Sequence, residues 1–299
     1  MTERSTPLFS SQFFHCYRPP ALADVVDSIW DWDIPDADIA RALTISQAPG
    51  TPLLLVGRYR APVRCQQGQC ELPAKFVTQI RDAPVTLRPT GALGVIVVAI
   101  KPESARRIID GSLGEFANAN RSLVDFFGQS VVTTCDEAVA AAHTSAERAA
   151  AVEKFLLRRL RPAAADSAAQ HVAVRLRDDP MLRIAELAAE IGTSTRHLGR
   201  MFHAVFGTSP KNFARLARVE KIIGLRQRGF TWAQIAYACG LADQAHLVRE
   251  FRALVGESPS HFFANPLCAV SGPAAGAPFI VRPDCTEVRK LQAFDVLPR

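Results

Sequence analysis

Arg196 and Arg200 stand one helical turn apart, and Gln244 and Arg249 follow in a second segment. Their donors match the edges of nucleobases. A guanidinium can span guanine O6 and N7, and a glutamine amide can bridge adenine N6 and N7. Each such two-pronged contact discriminates against a wrong base by ~1–3 kcal/mol. Around them lie Ser194, Thr195 and His203 in the first segment, and Asp243, Ala245 and Arg252 in the second. A single helix of this kind reads equally well as a solvated basic face. The pattern, however, occurs twice.

The first copy runs Leu187-Ala188-Ala189-Glu190-Ile191-Gly192, then Leu198, Arg200, Phe202, Gly207, Ser209-Pro210 and Phe213. The second runs Ile235-Ala236-Tyr237-Ala238-Cys239-Gly240, then Leu247, Arg249, Phe251, Gly256, Ser258-Pro259 and Phe262. The offset is 48 residues up to the glycine and 49 after it, so the second copy carries one extra residue past its turn. Each copy reads as a short apolar-faced helix, a glycine turn and a second helix with a basic outer face. That is the layout of a helix-turn-helix, whose second helix enters the DNA major groove. In the first reading helix, Leu198, Met201, Phe202 and Val205 share the core face, and Thr195, Arg196, Gly199, Arg200 and His203 the opposite one. In the second, Leu247, Phe251 and Leu254 face the core, while Gln244, Ala245, Val248, Arg249 and Arg252 face out. His197 and His246 adjoin the core leucines and read as packing or phosphate-contacting residues; no further ligands accompany them to make a metal site.

The elements that must position these side chains follow from periodicity and capping signals. Seven helices are predicted between 166 and 265: 167–177 behind Asp166 as N-cap, 183–191, 194–206, 210–228, 232–239, 243–254 and 259–264. Ser209 caps the fourth, with Pro210 in its first turn. Nineteen residues of that helix span ~28 Å, and two reading helices held apart by it could enter successive major grooves, which recur every ~34 Å.

The N-terminal half reads as β-rich, so the predicted fold class is α+β. Strands are expected at 52–56, 75–80, 85–88 and 93–100, the last apolar on both faces and therefore central. Short helices are expected at 22–29 and 102–109. Further along, Thr144 or Ser145 caps a helix with the apolar stripe Val152, Phe155, Leu156 and Leu160, read as packing within its own domain. Arg161-Pro162-Ala163-Ala164-Ala165 reads as a linker. The expected organisation is a sensor-like domain over 1–160, the linker at 161–165, the double helix-turn-helix domain over 166–265, and an irregular tail at 266–299 with one apolar knot, Phe279-Ile280-Val281.

Bulk properties agree. The chain has 299 residues, a net charge of +6 and 48% hydrophobic residues. Between 180 and 265 there are 11 Lys/Arg against 6 Asp/Glu, so most of the positive excess falls on the repeat, as a polyanionic partner requires. No secretory signal is visible in residues 1–14, and no run of ~18 apolar residues suggests a membrane span, so the cytoplasm is the expected compartment. Seven scattered cysteines do not suggest a disulfide framework; the close pair Cys65 and Cys70 reads as flanking a polar turn.

The repeat resembles the DNA-binding domain of the AraC/XylS family of bacterial transcription regulators. The likeness is carried by Ile184-Ala185-Glu186-Leu187-Ala188 with Gly192 and Ser194, by 198–202 and 206–210, and by 235–236 and 240–251 ending in Gly256-Glu257-Ser258-Pro259. It covers about 100 residues, a third of the chain. Departures are Gly199 on the reading face, Leu241 where the family mostly has Phe, and the short Ala245. The resemblance implies a transcription factor whose partners are double-stranded DNA, RNA polymerase, a small-molecule effector and a possible second copy of the chain.

The N-terminal half resembles the family's sensor domains through Tyr17-Arg18-Pro19-Pro20, the Trp30 region and residues 95–102. Trp30, Trp32, Tyr59 and Phe76 are candidates for lining an apolar pocket. No histidine occurs between His15 and His143, so neither a His-built metal site nor a cofactor is expected there. The alternative of a DNA-repair or other enzyme fused to the DNA-binding domain would need a reactive cysteine, and Cys16, Cys65 and Cys70 lie in no nucleophile motif. No catalytic residue is predicted.

Overall fold

The computed structural model describes residues 7–10, 13–37, 40, 43–47, 50–58, 62–65, 71–81, 85–109, 119–162, 167–264 and 279–283. Its N-terminal half contains β1 (Pro7–Ser10), β2 (Phe14–Tyr17), β3 (Val26–Ile34), β4 (Leu43–Gln47), β5 (Leu53–Gly57), β6 (Val63–Cys65), β7 (Lys75–Thr78), β8 (Val85–Pro89), β9 (Leu93–Ile100) and β10 (Asn120–Ser122). Three helices follow: α1 (Leu123–Phe127), α2 (Gln129–Ala140) and α3 (Ser145–Leu157).

Seven strands form one sheet in the order β1-β2-β3-β9-β5-β7-β10. Strand β9 is central, and its burial on both faces explains its unbroken apolar run. Val95, Val97 and Ala99 face an inner layer with Trp30, Trp32, Leu53, Leu55 and Phe76. That layer is closed by Ile45, Val63 and Leu87 of the second sheet. Ile96, Val98 and Ile100 face the opposite way, onto Val132, Val139, Val152, Phe155 and Leu156 of the helices. The stripe on α3 therefore packs within its own half of the chain, with Thr144 as N-cap in a reciprocal capping box with Glu147. Asp31, fully buried on the helix side of β3, is held by Arg148 of α3 at 2.7 Å and by Arg58 at 3.0 Å.

Two expectations are corrected here. The predicted helix over 22–29 is a three-residue 3-10 turn (Pro20–Leu22) followed by β3. A register shift between Val26 and Ser28 lets Val26 and Ile29, three apart, face the same helical layer, which imitates a helical spacing. The segment at 102–109 is a 3-10 helix over Pro102–Arg107. The apolar knot near the C-terminus forms β11 (Phe279–Pro283), which pairs antiparallel with β4 and completes a four-stranded sheet β11-β4-β8-β6. Tyr59, Cys70, Asp166, residues 163–165 of the expected linker and most of the expected tail lie outside the described residues.

The C-terminal part has the seven expected helices: α4 (Ala168–Asp178), α5 (Ile184–Glu190), α6 (Thr195–Phe206), α7 (Pro210–Gln227), α8 (Trp232–Ala238), α9 (Gln244–Val255) and α10 (Pro259–Ala264). Helix α4 is capped by Ser167 with Gln170 in a capping box, one residue later than the expected Asp166 cap. One apolar cluster joins all seven helices, with α7 through its middle. Ile80 from the N-terminal half packs into the same cluster. Glu103 accepts from Arg177 at 2.8 Å through its side chain and from Gln170 at 2.8 Å through its carbonyl, tying the two halves together.

Candidate nucleic-acid interface

Both helix-turn-helix units are built by the same local chemistry. Helix α5 ends at Gly192 (φ 68°) and α8 at Gly240 (φ 60°), the left-handed conformation a glycine adopts without a Cβ penalty. The amide after each glycine returns to a helix carbonyl: Thr193 to Ala188 and Leu241 to Ala236, both at 2.9 Å. Helix α6 then starts at once behind Ser194, whose hydroxyl accepts from the His197 amide at 3.2 Å. Helix α9 starts one residue later, after Ala242, behind Asp243, whose carboxylate accepts from the His246 amide at 2.6 Å. The inserted residue thus lies between turn and cap and leaves both motifs intact.

The second helix of each unit is fixed from behind by aromatic packing. Phe202 and Phe206 of α6 sit 5.4 and 5.6 Å, centroid to centroid, from Phe213 of α7. Phe251 of α9 meets Phe262 of α10 edge-on at 5.2 Å. Leu198 and Leu247 are fully buried; Met201 and Val205 are partly buried against the same cluster.

The opposite faces are exposed. Ser194, Thr195, Arg196, Arg200 and His203 present one such face, with Gly199 half-buried between them. Asp243, Gln244, Ala245, Val248, Arg249 and Arg252 present the other. The fold therefore brings every predicted DNA-contacting residue onto the outer faces of α6 and α9 or onto their caps. Arg200 Nη2 lies 3.2 Å from His197 Nδ1, so the histidine orients that guanidinium. Among the described residues, Arg196, Arg200, Arg249 and Arg252 take part in no ion pair, which leaves four arginines available on the two faces. His246 lies 3.7 Å from Glu250, and no group of three His, Cys, Asp or Glu that could hold a metal ion occurs among the described residues.

Glu250 had no role in the sequence reading. It lies on the core face of α9, where its carboxylate accepts from Arg218 Nη1 of α7 at 3.1 Å to each oxygen. The signal was available: Glu250 falls three residues after Leu247 and four before Leu254, and a charge on an apolar stripe implies a buried partner.

Three of the four expected pocket-lining aromatics are core residues. Trp30, Trp32 and Phe76 are each under 5% exposed between the sheets. Trp32 stacks edge-on with Phe14 at 5.6 Å, and Trp30 Nε1 donates to Ser28 Oγ at 3.0 Å. Burial pushes the Cys16 thiol up to about 12 and Cys135 to about 11, so both stay protonated and poorly nucleophilic near neutral pH. No helix among the described residues is long and apolar enough to cross a membrane.

A family profile described as a helix-turn-helix domain matches residues 187–265. The chain is 34% identical over 102 residues to the HTH-type transcriptional regulator CdhR of Pseudomonas aeruginosa. That match covers 33% of this chain and 30% of the relative, so the chain spans less than a third of that relative's length. Among solved structures, an apo ToxT variant of Vibrio cholerae is similar at a TM-score of 0.45 and 15% identity, over 79% of this chain and 96% of that one. A probable AraC family transcriptional regulator from Rhodopseudomonas palustris is 27% identical at a TM-score of 0.30, over 32% of this chain and 94% of that one. Residues 187–265, which hold most of the two helix-turn-helix units, are thus similar to the helix-turn-helix domain of a transcriptional regulator.

Proposed function

We propose that this protein is a sequence-specific transcription regulator that lays α6 and α9 into successive major grooves of double-stranded DNA. The observation that carries the reading is the repeated placement of exposed arginines, Arg200 and Arg249, two residues before a buried phenylalanine on each capped helix. Arg196, Arg200, Gln244 and Arg249 read base edges in this proposal. Thr195, His203 and Arg252 contact phosphates or flanking bases. Ser194 and Asp243 act through the caps, Ser194 keeping a hydroxyl proton to donate to phosphate, and Ala245 supplies apolar contact. Helix α7, with 18 residues, spans ~27 Å and serves as the spacer.

In the same proposal residues 1–160 form a regulatory domain, 161–165 a linker, 166–265 the DNA-binding domain and 266–299 a tail. The regulatory domain responds to a small-molecule effector or a partner, with RNA polymerase and a second copy of the chain as further partners. Its support is the contact of Glu103 with α4, through which a change in the N-terminal half reaches the DNA-binding half. The enzyme reading is set aside: burial keeps the Cys16 and Cys135 thiols protonated, and the matched relative is a transcriptional regulator.

The test is a gel-shift with two fragments. Residues 166–265 should bind DNA and residues 1–160 should not. If the module makes 6–10 phosphate contacts, affinity should fall ~10³–10⁵-fold between 50 and 200 mM salt. Tight binding without salt dependence, or binding by the N-terminal fragment, would overturn the reading.

A further inference from the structure

We infer that Arg218 and Glu250 are a positioning pair that fixes the second reading helix in register with the first. The inference rests on the DNA-reading proposal for its purpose, and on geometry for its existence. Glu250 belongs to α9, and its side chain is only 6% exposed; Arg218 belongs to α7, and its side chain is 18% exposed. One guanidinium nitrogen, Nη1, donates to both carboxylate oxygens at 3.1 Å. The other, Nη2, donates to the Pro180 carbonyl at 3.4 Å, in the segment that leads into α5 of the first unit. One side chain on the spacer helix thus holds the second reading helix and the entrance to the first unit together. Arg215 Nε at 3.8 Å adds a second cation beside the carboxylate, and His246 Nε2 lies 3.7 Å away.

The repeat indicates that this charge is not a packing requirement. Aligning Arg200 with Arg249 and Phe202 with Phe251 puts Met201 at the place of Glu250. Met201 packs against the apolar cluster. An apolar contact is non-directional and tolerates sliding. Here one guanidinium arm is held by the carboxylate and the other by the Pro180 carbonyl, so the planar group restrains direction as well as distance. A buried ion pair adds little net stability over well-packed apolar residues, since desolvation offsets the attraction, so orientation is the property it supplies best. Orientation matters because a shift of one base pair turns the next groove by ~35° and moves it ~3.4 Å. A second helix fixed in angle would reject such a shift, and a loosely held one would follow it.

The experiment uses the full chain and the double variant Arg218→Met/Glu250→Met, which copies the apolar solution of the first unit. Amide hydrogen exchange without DNA should be about tenfold faster in α9 and unchanged in α6. On a site selected by the wild type, inserting one base pair between the two half-sites should cost the wild type at least ~10-fold and the variant under ~3-fold. Base preferences within each half-site should be unchanged, an outcome that general unfolding would not give. If the double variant fails to fold, Arg218→Lys, which keeps the charge but loses the two-armed contact, should show the same changes in smaller size. Unaltered α9 exchange, or a retained spacing penalty in a folded variant, would overturn the inference. If the wild type selects no sequence, the DNA reading falls, and the exchange comparison alone then decides whether the pair holds α9.

Discussion

The turn glycines of the two units provide an internal control for one another. Gly192 and Gly240 both adopt the left-handed conformation, so alanine at either costs ~1–2 kcal/mol in backbone strain. Their surroundings differ. A Cβ at Gly192 meets nothing within 4 Å, whereas one at Gly240 falls 1.7 Å from Met181 Cε and 2.9 Å from its Sδ. Met181 must leave. It is 36% exposed where it sits, so it has somewhere to go, but it forfeits most of the burial it has. With full burial of a methionine worth ~1.5–3 kcal/mol, that forfeit is ~1–2 kcal/mol. Gly192→Ala should therefore destabilise by ~1–2 kcal/mol and Gly240→Ala by ~2–4 kcal/mol. Urea unfolding followed by circular dichroism measures both. A double-mutant cycle with Met181→Ala isolates the collision: once the thioether is gone, Gly240→Ala should cost no more than Gly192→Ala. A coupling below ~0.5 kcal/mol would refute the argument, because contacting residues normally couple above that level.

Further outcomes are expected. Arg249→Ala and Arg200→Ala should each cost ~1–3 kcal/mol on the cognate site and relax preference at one base pair, the two positions lying about one helical turn of DNA apart. A binding-site selection in which both variants keep wild-type preferences and lose affinity evenly would make them phosphate clamps. Burial pushes the Glu220 carboxyl from 4.5 up to about 7, with Arg177 opposing and Asp27 and Glu103 reinforcing the rise. The folded state then holds a proton that the unfolded chain releases, so this group makes stability fall as pH rises from 4.5 to 7 and level off above. Urea midpoints at several pH values should show a shallower fall in Glu220→Gln, and an identical slope would rule out Glu220 as its source.

The helical half was legible nearly residue by residue because its signals are local. Ser209-Pro210 and Ser258-Pro259 mark helix starts, the glycines mark ends, and the spacing of Leu198, Phe202 and Phe206 has one reading. The cap of α4 slipped by a residue because Asp166 and Ser167 are both good caps; Gln170, three residues after Ser167, decides between them. The β-rich half was less legible. Strand β9 stood out because both of its faces are buried, but the shift at Val26 gave β3 a false helical period. Pairing of Phe279–Pro283 with Leu43–Gln47 joins segments more than 230 residues apart, and no local pattern encodes it. The residues proposed to face DNA were read from amphipathic alternation, and the fold exposes them; the pairing of Arg218 with Glu250 was not read, since each lies in a different helix and only the fold brings them together.

Helix α7 buries residues along its whole length: Phe213, Ala214, Leu216, Ala217, Val219, Ile222, Ile223 and Leu225 are all buried. Adding or removing one residue turns everything beyond that point by ~100° and shifts it 1.5 Å. No face of this helix could absorb such a rotation, because both helix-turn-helix units pack on it and Gly50 of the N-terminal half approaches Leu216 and Glu220. The spacing between the two units is therefore fixed against insertion and deletion, even though the turn before α9 has accepted an extra residue. Over evolutionary time, length changes among related chains should collect in turns and linkers and leave Pro210–Gln227 untouched. New target spacings would then have to arise by substitution along this helix rather than by stretching it.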